Sequence, residues 1–200
     1  MTSNKRTTDE PSPGTGGARQ TGDPRLPGDL NRKPLVDRML RVDHAGEYGA
    51  RRIYEGQLAV LGNGPAGETI GHMYEQELRH LRHFEQLMVE RRTRPTLLQP
   101  LWHVAGFALG AGTAMLGERA AMACTVAIEE TIEEHYAGQA AQLGDDEAEL
   151  RQTIEQFRAE EMEHRDIGRE HGAEETPGYE ALSAAIKTGS RIAIWLSERI

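Results

Sequence analysis

Two Glu-x-x-His runs, Glu77-Leu78-Arg79-His80 and Glu161-Met162-Glu163-His164, carry the side chains best suited to chemistry in this 200-residue chain. On a helix, residues i and i+3 share a face, so a carboxylate and an imidazole reach the same ion. The runs sit among apolar neighbours at helical spacing: Met73, Leu81 and Phe84 around the first, Ile154 and Phe157 before the second. Carboxylates are almost never buried without a partner. Two acidic runs on apolar faces therefore predict a compensating cation.

An internal repeat supplies further acids. Glu47 lies 30 residues before Glu77, and Glu129 lies 32 before Glu161. Tyr54, Gly56 and Gln57 follow Glu47 at offsets of 7, 9 and 10, and Tyr136, Gly138 and Gln139 follow Glu129 at the same offsets. The chain thus reads as two related helix pairs, each giving one Glu from its first helix and Glu-x-x-His from its second. Glu47, Glu77, His80, Glu129, Glu161 and His164 together form the ligand set of a carboxylate-bridged dinuclear metal site. Four carboxylates balance two divalent ions, which offsets the cost of burying the charge. Mixed carboxylate and imidazole donors suit iron or manganese better than zinc or copper.

The elements that must position these residues read as helices. Apolar periodicity predicts helices over Leu35–Leu61, Glu68–Arg92, Glu118–Leu143, Glu147–Gly168 and Tyr179–Ile200. Strand alternation is not convincing anywhere. The fold class is all-α, an antiparallel bundle. Residues 1–33, with five Gly, four Pro and few large apolar side chains, read as a disordered tail ahead of a domain over 34–200. Residues 95–117 carry no formal charge. This stretch reads as an interfacial or shallowly inserted membrane element, with Trp102 at headgroup level and Gly106 and Gly110 allowing close helix approach. Lys187 and Arg191 are placed to snorkel beside the apolar residues of the last helix.

Composition narrows the function classes. A net charge of −9 and 5% aromatics argue against a nucleic-acid partner. The single cysteine, Cys124, excludes an intrachain disulfide and any Cys-rich metal site.

The segments RVDHAGEYGARRIYEGQ (41–57), RPTLLQPLWHVAGFALGAGTAMLG (94–117), AMACTVAIEETIEEHY (121–136), EEMEHRDIG (160–168) and LSERI (196–200) resemble the demethoxyubiquinone hydroxylase family over roughly residues 35–200. The resemblance implies a ferritin-like four-helix bundle with two additional membrane-associated helical segments. It implies two iron ions, held by Glu47, Glu77, His80, Glu129, Glu161 and His164, with O2 as co-substrate. The implied reaction hydroxylates the demethoxyubiquinol ring in ubiquinone biosynthesis. The implied partners are a polyprenylated quinol, the membrane surface and a lipid-binding accessory protein. The reductant stays open among NADH, a reductase and the quinol itself, as do the terminal and bridging roles of each Glu. The implied location is peripheral, on the cytoplasmic side of the cell inner membrane, with the matrix side of the mitochondrial inner membrane as the alternative.

Four residues around the centre are further candidates. Tyr54 and Tyr136 lie about two turns beyond a ligand Glu, on its face, and suit a hydrogen bond or a relay to the metals. Asp43, one turn before Glu47, is placed to orient a ligand imidazole. His135 could handle protons or meet an electron donor. Glu130, Glu133 and Glu134 read as solvated charge. An iron-storing bundle with the same ligands has no use for an uncharged 95–117 stretch. A non-catalytic docking bundle has no use for six inward ligands.

Overall fold

The computed structural model describes residues 32–200, so the N-terminal tail up to residue 31 lies outside the described residues. Six α-helices follow: α1 Arg32–Leu61, α2 Gly67–Arg91, α3 Gln99–Met115, α4 Glu118–Ala140, α5 Ala148–Glu170 and α6 Tyr179–Ser197. No strand occurs among the described residues. Helix α1 starts three residues before the expected Leu35, with Pro34 in its first turn, where its missing N–H costs no hydrogen bond. The α1–α2 turn runs through Gly62-Asn63-Gly64-Pro65. Helix α2 ends as Arg92 enters the left-handed region (φ 55°), its N–H turned back to the Met88 and Val89 carbonyls.

The helices form two similar trios. Helix α1 packs on α2 and α3, and helix α4 packs on α5 and α6. Side chains from α1, α2, α4 and α5 fill two apolar clusters. One holds Leu40, Phe84, Met88, Tyr136, Ile154 and Phe157. The other holds Tyr54, Ile70, Met73, Met122 and Val126. The six predicted ligands fall between these clusters in sequence on every helix, so apolar layers close the site above and below.

Helix α3 lies against α1 at backbone distance. A β-carbon on Gly110 would run into the Ile53 carbonyl, and one on Gly106 would meet the Gly49 carbonyl at 2.9 Å. These glycines are what let the uncharged helix lie flat on α1. Helix α3 is 17 residues long, about 25 Å at the usual rise per residue. No helix among the described residues is long and apolar enough to cross a membrane. Leu97, Leu101, Val104, Met115 and Leu116 nevertheless stand exposed on and beside α3, as do Ile192 and Trp195 on α6.

The indole Nε1 of Trp102 donates to Ser197 Oγ of α6 at 3.0 Å. Two expectations need correcting here. Lys187 and Arg191 do not snorkel; they pair with Glu130 and Glu134 of α4. The acids at 130, 133 and 134 are correspondingly not idle surface charge, since Arg158 also pairs with Glu133 at 2.6 Å and Arg169 with Glu130 at 2.5 Å.

Candidate metal centre

Helices α1, α2, α4 and α5 bring all six predicted ligands to the middle of the bundle. Glu47, Glu77, His80, Glu129, Glu161 and His164 are each at most 1% exposed. They fall into two overlapping groups, Glu47-Glu77-His80-Glu161 and Glu77-Glu129-Glu161-His164, with the ligand atoms of each group within 4.8 Å of one another. Glu77 and Glu161 belong to both. The Nδ1 of His80 lies 3.1 Å from Glu161 and 3.6 Å from Glu47. The Nδ1 of His164 lies 3.2 Å from Glu77 and 3.3 Å from Glu161.

The fit to metal rests on what these atoms lack. Glu47 Oε2, both oxygens of Glu77, Glu129 Oε2, both oxygens of Glu161 and the Nδ1 of each imidazole are buried without a hydrogen-bond partner. Buried polar atoms are almost always paired. Eight convergent unpaired donor atoms, all from carboxylate and imidazole, are what a pair of cations would satisfy.

Electrostatics says the same. Burial, then the charge of Glu161, drives the Glu77 and Glu129 carboxyls well above their usual range. Burial opposes the His80 imidazolium, but contact with Glu161 and Glu47 outweighs it and pushes its pKa up to about 12. Burial would likewise raise Glu161, but His164 and His80 hold it down at about 2.

A pseudo-two-fold relation governs the outer contacts. Tyr54 OH donates to Glu129 Oε1 at 2.7 Å, and Tyr136 OH donates to Glu47 Oε1. Each tyrosine therefore serves the glutamate of the other repeat. Burial and neighbouring carboxylates raise both phenols far above their usual range, so both stay donors. The Nε2 of His80 meets Glu160 Oε2 at 2.9 Å, and the Nε2 of His164 meets Gln76 Oε1 at 2.9 Å. These contacts fix each ring with Nε2–H outward and Nδ1 toward the centre.

Glu160 and Gln76, rather than Asp43, meet the imidazoles of His80 and His164. Asp43 accepts from Gln139 Nε2 at 2.7 Å and faces His135 Nε2 at 3.6 Å. Half-buried His135 also meets Gln139 at 2.8 Å. Gln76 and Glu160 escape sequence reasoning because their partners lie across the bundle. Their one signal is position, since each immediately precedes the Glu of a Glu-x-x-His run. Cys124 is buried, its thiol pushed up to about 12 by that burial, and serves as core.

Beside the centre lies an apolar cavity of about 560 Å³ between α1, α3, α4 and α6. Gly46 and Ala50 of its wall flank Glu47 on α1, and Ile128 precedes Glu129 on α4.

Fold and site together define a helical bundle whose buried carboxylates and imidazoles could hold metal ions. The family model described as "Ubiquinone biosynthesis protein COQ7" matches residues 34–197. The chain belongs to this demethoxyubiquinone hydroxylase family. It is 60% identical over 183 residues to the 3-demethoxyubiquinol 3-hydroxylase of Rhodospirillum rubrum, covering 91% of this chain and 86% of that protein. It is 56% identical over 172 residues to the human NADPH-dependent 3-demethoxyubiquinone 3-hydroxylase, mitochondrial, covering 84% and 79%. The 5-demethoxyubiquinone hydroxylase of Saccharomyces cerevisiae, also mitochondrial, is 41% identical over 183 residues, covering 83% and 78%.

Proposed function

We propose that this chain hydroxylates the demethoxyubiquinol ring with O2 at a two-iron centre, within a ferritin-like bundle. The carrying observation is the set of six buried ligands sharing its α1 and α4 walls with the apolar cavity. Two iron ions bound by Glu47, Glu77, His80, Glu129, Glu161 and His164 would supply O2 reduction and ring oxidation.

The protein's own residues do the rest. Gln76 and Glu160 hold the two imidazoles in register. Tyr54 and Tyr136 pin Glu129 and Glu47 through their phenol hydrogens, which limits how those carboxylates swing. The two apolar clusters exclude water from above and below. The cavity wall of small and branched side chains accepts an apolar ring and the start of its polyprenyl tail. Half-buried His135, hydrogen-bonded toward buried Asp43 and Gln139, is the polar group through which protons would reach this side of the site.

The substrate class sets the location. A polyprenylated quinol resides in a bilayer, and the exposed Leu101, Val104, Ile192 and Trp195 lie on α3 and α6, two of the four helices that line the cavity. This supports peripheral attachment to the inner membrane of a bacterial cell, cytoplasmic side, through α3 and α6. A reductant such as NADH or NADPH and a lipid-binding accessory protein belong to the same reading.

Expression in cells lacking demethoxyubiquinone hydroxylation tests the function. Ubiquinone is expected to reappear in extracted quinones. Persistence of the demethoxy precursor with folded, iron-loaded protein present would reject it. Glu129→Ala is expected to abolish the conversion. Leu101→Asp with Val104→Asp is expected to release the protein from anionic vesicles in flotation while leaving metal content intact.

A further inference from the structure

The pseudo-two-fold relation holds for hydrogen bonds and fails for charge. Gln57 Nε2 donates to Thr125 Oγ1 at 3.3 Å and to the Ala121 carbonyl at 3.0 Å. In the other half, Gln139 donates to Asp43. Thr125 and Asp43 each lie four residues before a ligand glutamate. His164 meets the Gln76 amide oxygen, and His80 meets the Glu160 carboxylate. At both equivalent places the fold requires only an acceptor, and a neutral one suffices in one half. Both carboxylates fall on the same side, around Glu47 and His80.

We infer that the two metal positions are unequal, with Glu160 making the His80 position the tighter, first-filled one. This rests on the two-metal reading above. A carboxylate behind an imidazole draws on its N–H and raises the basicity of the opposite nitrogen; an amide oxygen does so far less. Glu160 is held for the task. Gln156 donates to its Oε1 at 3.1 Å, and Arg79 reaches its Oε2 at 3.4 Å. Arg79 is 56% exposed, so solvent screens its charge and the carboxylate dominates at the ring. Gln76, by contrast, is 6% exposed and is an uncharged acceptor. Glu160 is a positioning residue acting through His80, and loss of such a partner costs about 10–100-fold in metal affinity.

The test is a Mn²⁺ titration of the metal-free full chain, free Mn²⁺ being counted by electron paramagnetic resonance. Substoichiometric ⁵⁷Fe²⁺ is followed in parallel by Mössbauer spectroscopy. Two stepwise constants are expected, with one quadrupole doublet dominating below one iron per chain. Glu160→Gln keeps the acceptor in the form that already serves His164, so folding is preserved. It is expected to weaken the first constant about 10-fold or more and to alter the first doublet. The double exchange Glu160→Gln with Gln76→Glu is expected to restore a tight first site and to enrich the other doublet. Unchanged constants and an unchanged first doublet in Glu160→Gln would overturn the inference while leaving the two-metal reading standing. A chain that binds no metal would overturn both.

Discussion

Asp43 is a carboxylate surrounded by protein at 2% exposure. Burial raises its pKa to about 6, against the opposing contacts of His135 and Gln139. The folded protein therefore holds a proton that the unfolded chain gives up at lower pH. The resulting stabilisation is complete below about pH 4 and is lost as pH rises through about 6. In metal-free protein, the difference in unfolding free energy between wild type and Asp43→Asn should change by about 2 kcal/mol between about pH 4 and pH 6. Urea unfolding at pH 4, 5 and 6 measures it, and parallel curves would refute it. Tyr136→Phe removes the phenol hydrogen bond to Glu47 Oε1. It should weaken metal binding by about 10-fold while leaving the metal-free fold intact by circular dichroism. At this scale the convergence of the six buried side chains is legible, because a helix writes its inward face as fixed spacing. Gln76 and Glu160 were not legible, because no spacing along one helix encodes a contact between two. The same limit explains why spacing along α1 points Asp43 at a ligand imidazole: its partners, Gln139 and His135, project from α4.

Helix α3 shows how much of an element is legible. The lack of charge marks 95–117 as distinct, and the glycines at 106 and 110 mark a close contact. The contact proves to be with α1, and the sequence leaves that partner unnamed. Every small-residue surface reads alike until something lies on it. The glycines of α3 then divide sharply. Gly110 meets the Ile53 backbone, whereas Gly112 has open space around its α-carbon. Gly110→Ala should force α3 away from α1 and cost about 1–3 kcal/mol. It should also raise KM for quinol, since Gly106 and Leu109 of the same helix line the cavity. Gly112→Ala should instead stabilise by about 0.5–1 kcal/mol, the ordinary helix preference for alanine. Thermal unfolding of the pair checks this, and equal shifts in both would contradict the close-packed face. Helix α6 hides its partners in a different way. Its cations looked free because their acids, Glu130 and Glu134, lie nearly 60 residues away on α4.

Across the whole molecule, the repeat extends further than the paired ligands. Helix α3 lies on α1 as α6 lies on α4, so each trio ends in a helix that returns onto its first. The cavity lies where the two returning helices meet those first helices. The ligands lie where the trios face one another, Glu47, Glu77 and His80 from one and Glu129, Glu161 and His164 from the other. Both candidate ligand groups draw on both trios, so metal binding there would be coupled to closure of the two halves. Without metal, burial and neighbouring carboxylates favour the protonated forms of Glu77 and Glu129, and the Glu161 and Glu47 carboxylates favour that of His80. Loading the site must therefore expel protons, and affinity must rise with pH. Adding Fe²⁺ under anaerobic conditions to weakly buffered metal-free protein should acidify the solution by at least one proton per ion. The midpoint of thermal unfolding should climb together with the release. At metal concentrations about 1,000 times Kd, the linked stabilisation is about 4 kcal/mol. A chelator should reverse both changes, whereas Glu77→Gln should diminish both. Metal binding without proton release would mean that the four buried glutamates are already ionised in the empty bundle. The charge balance that lets this chain fold would then have to come from somewhere other than its own protons.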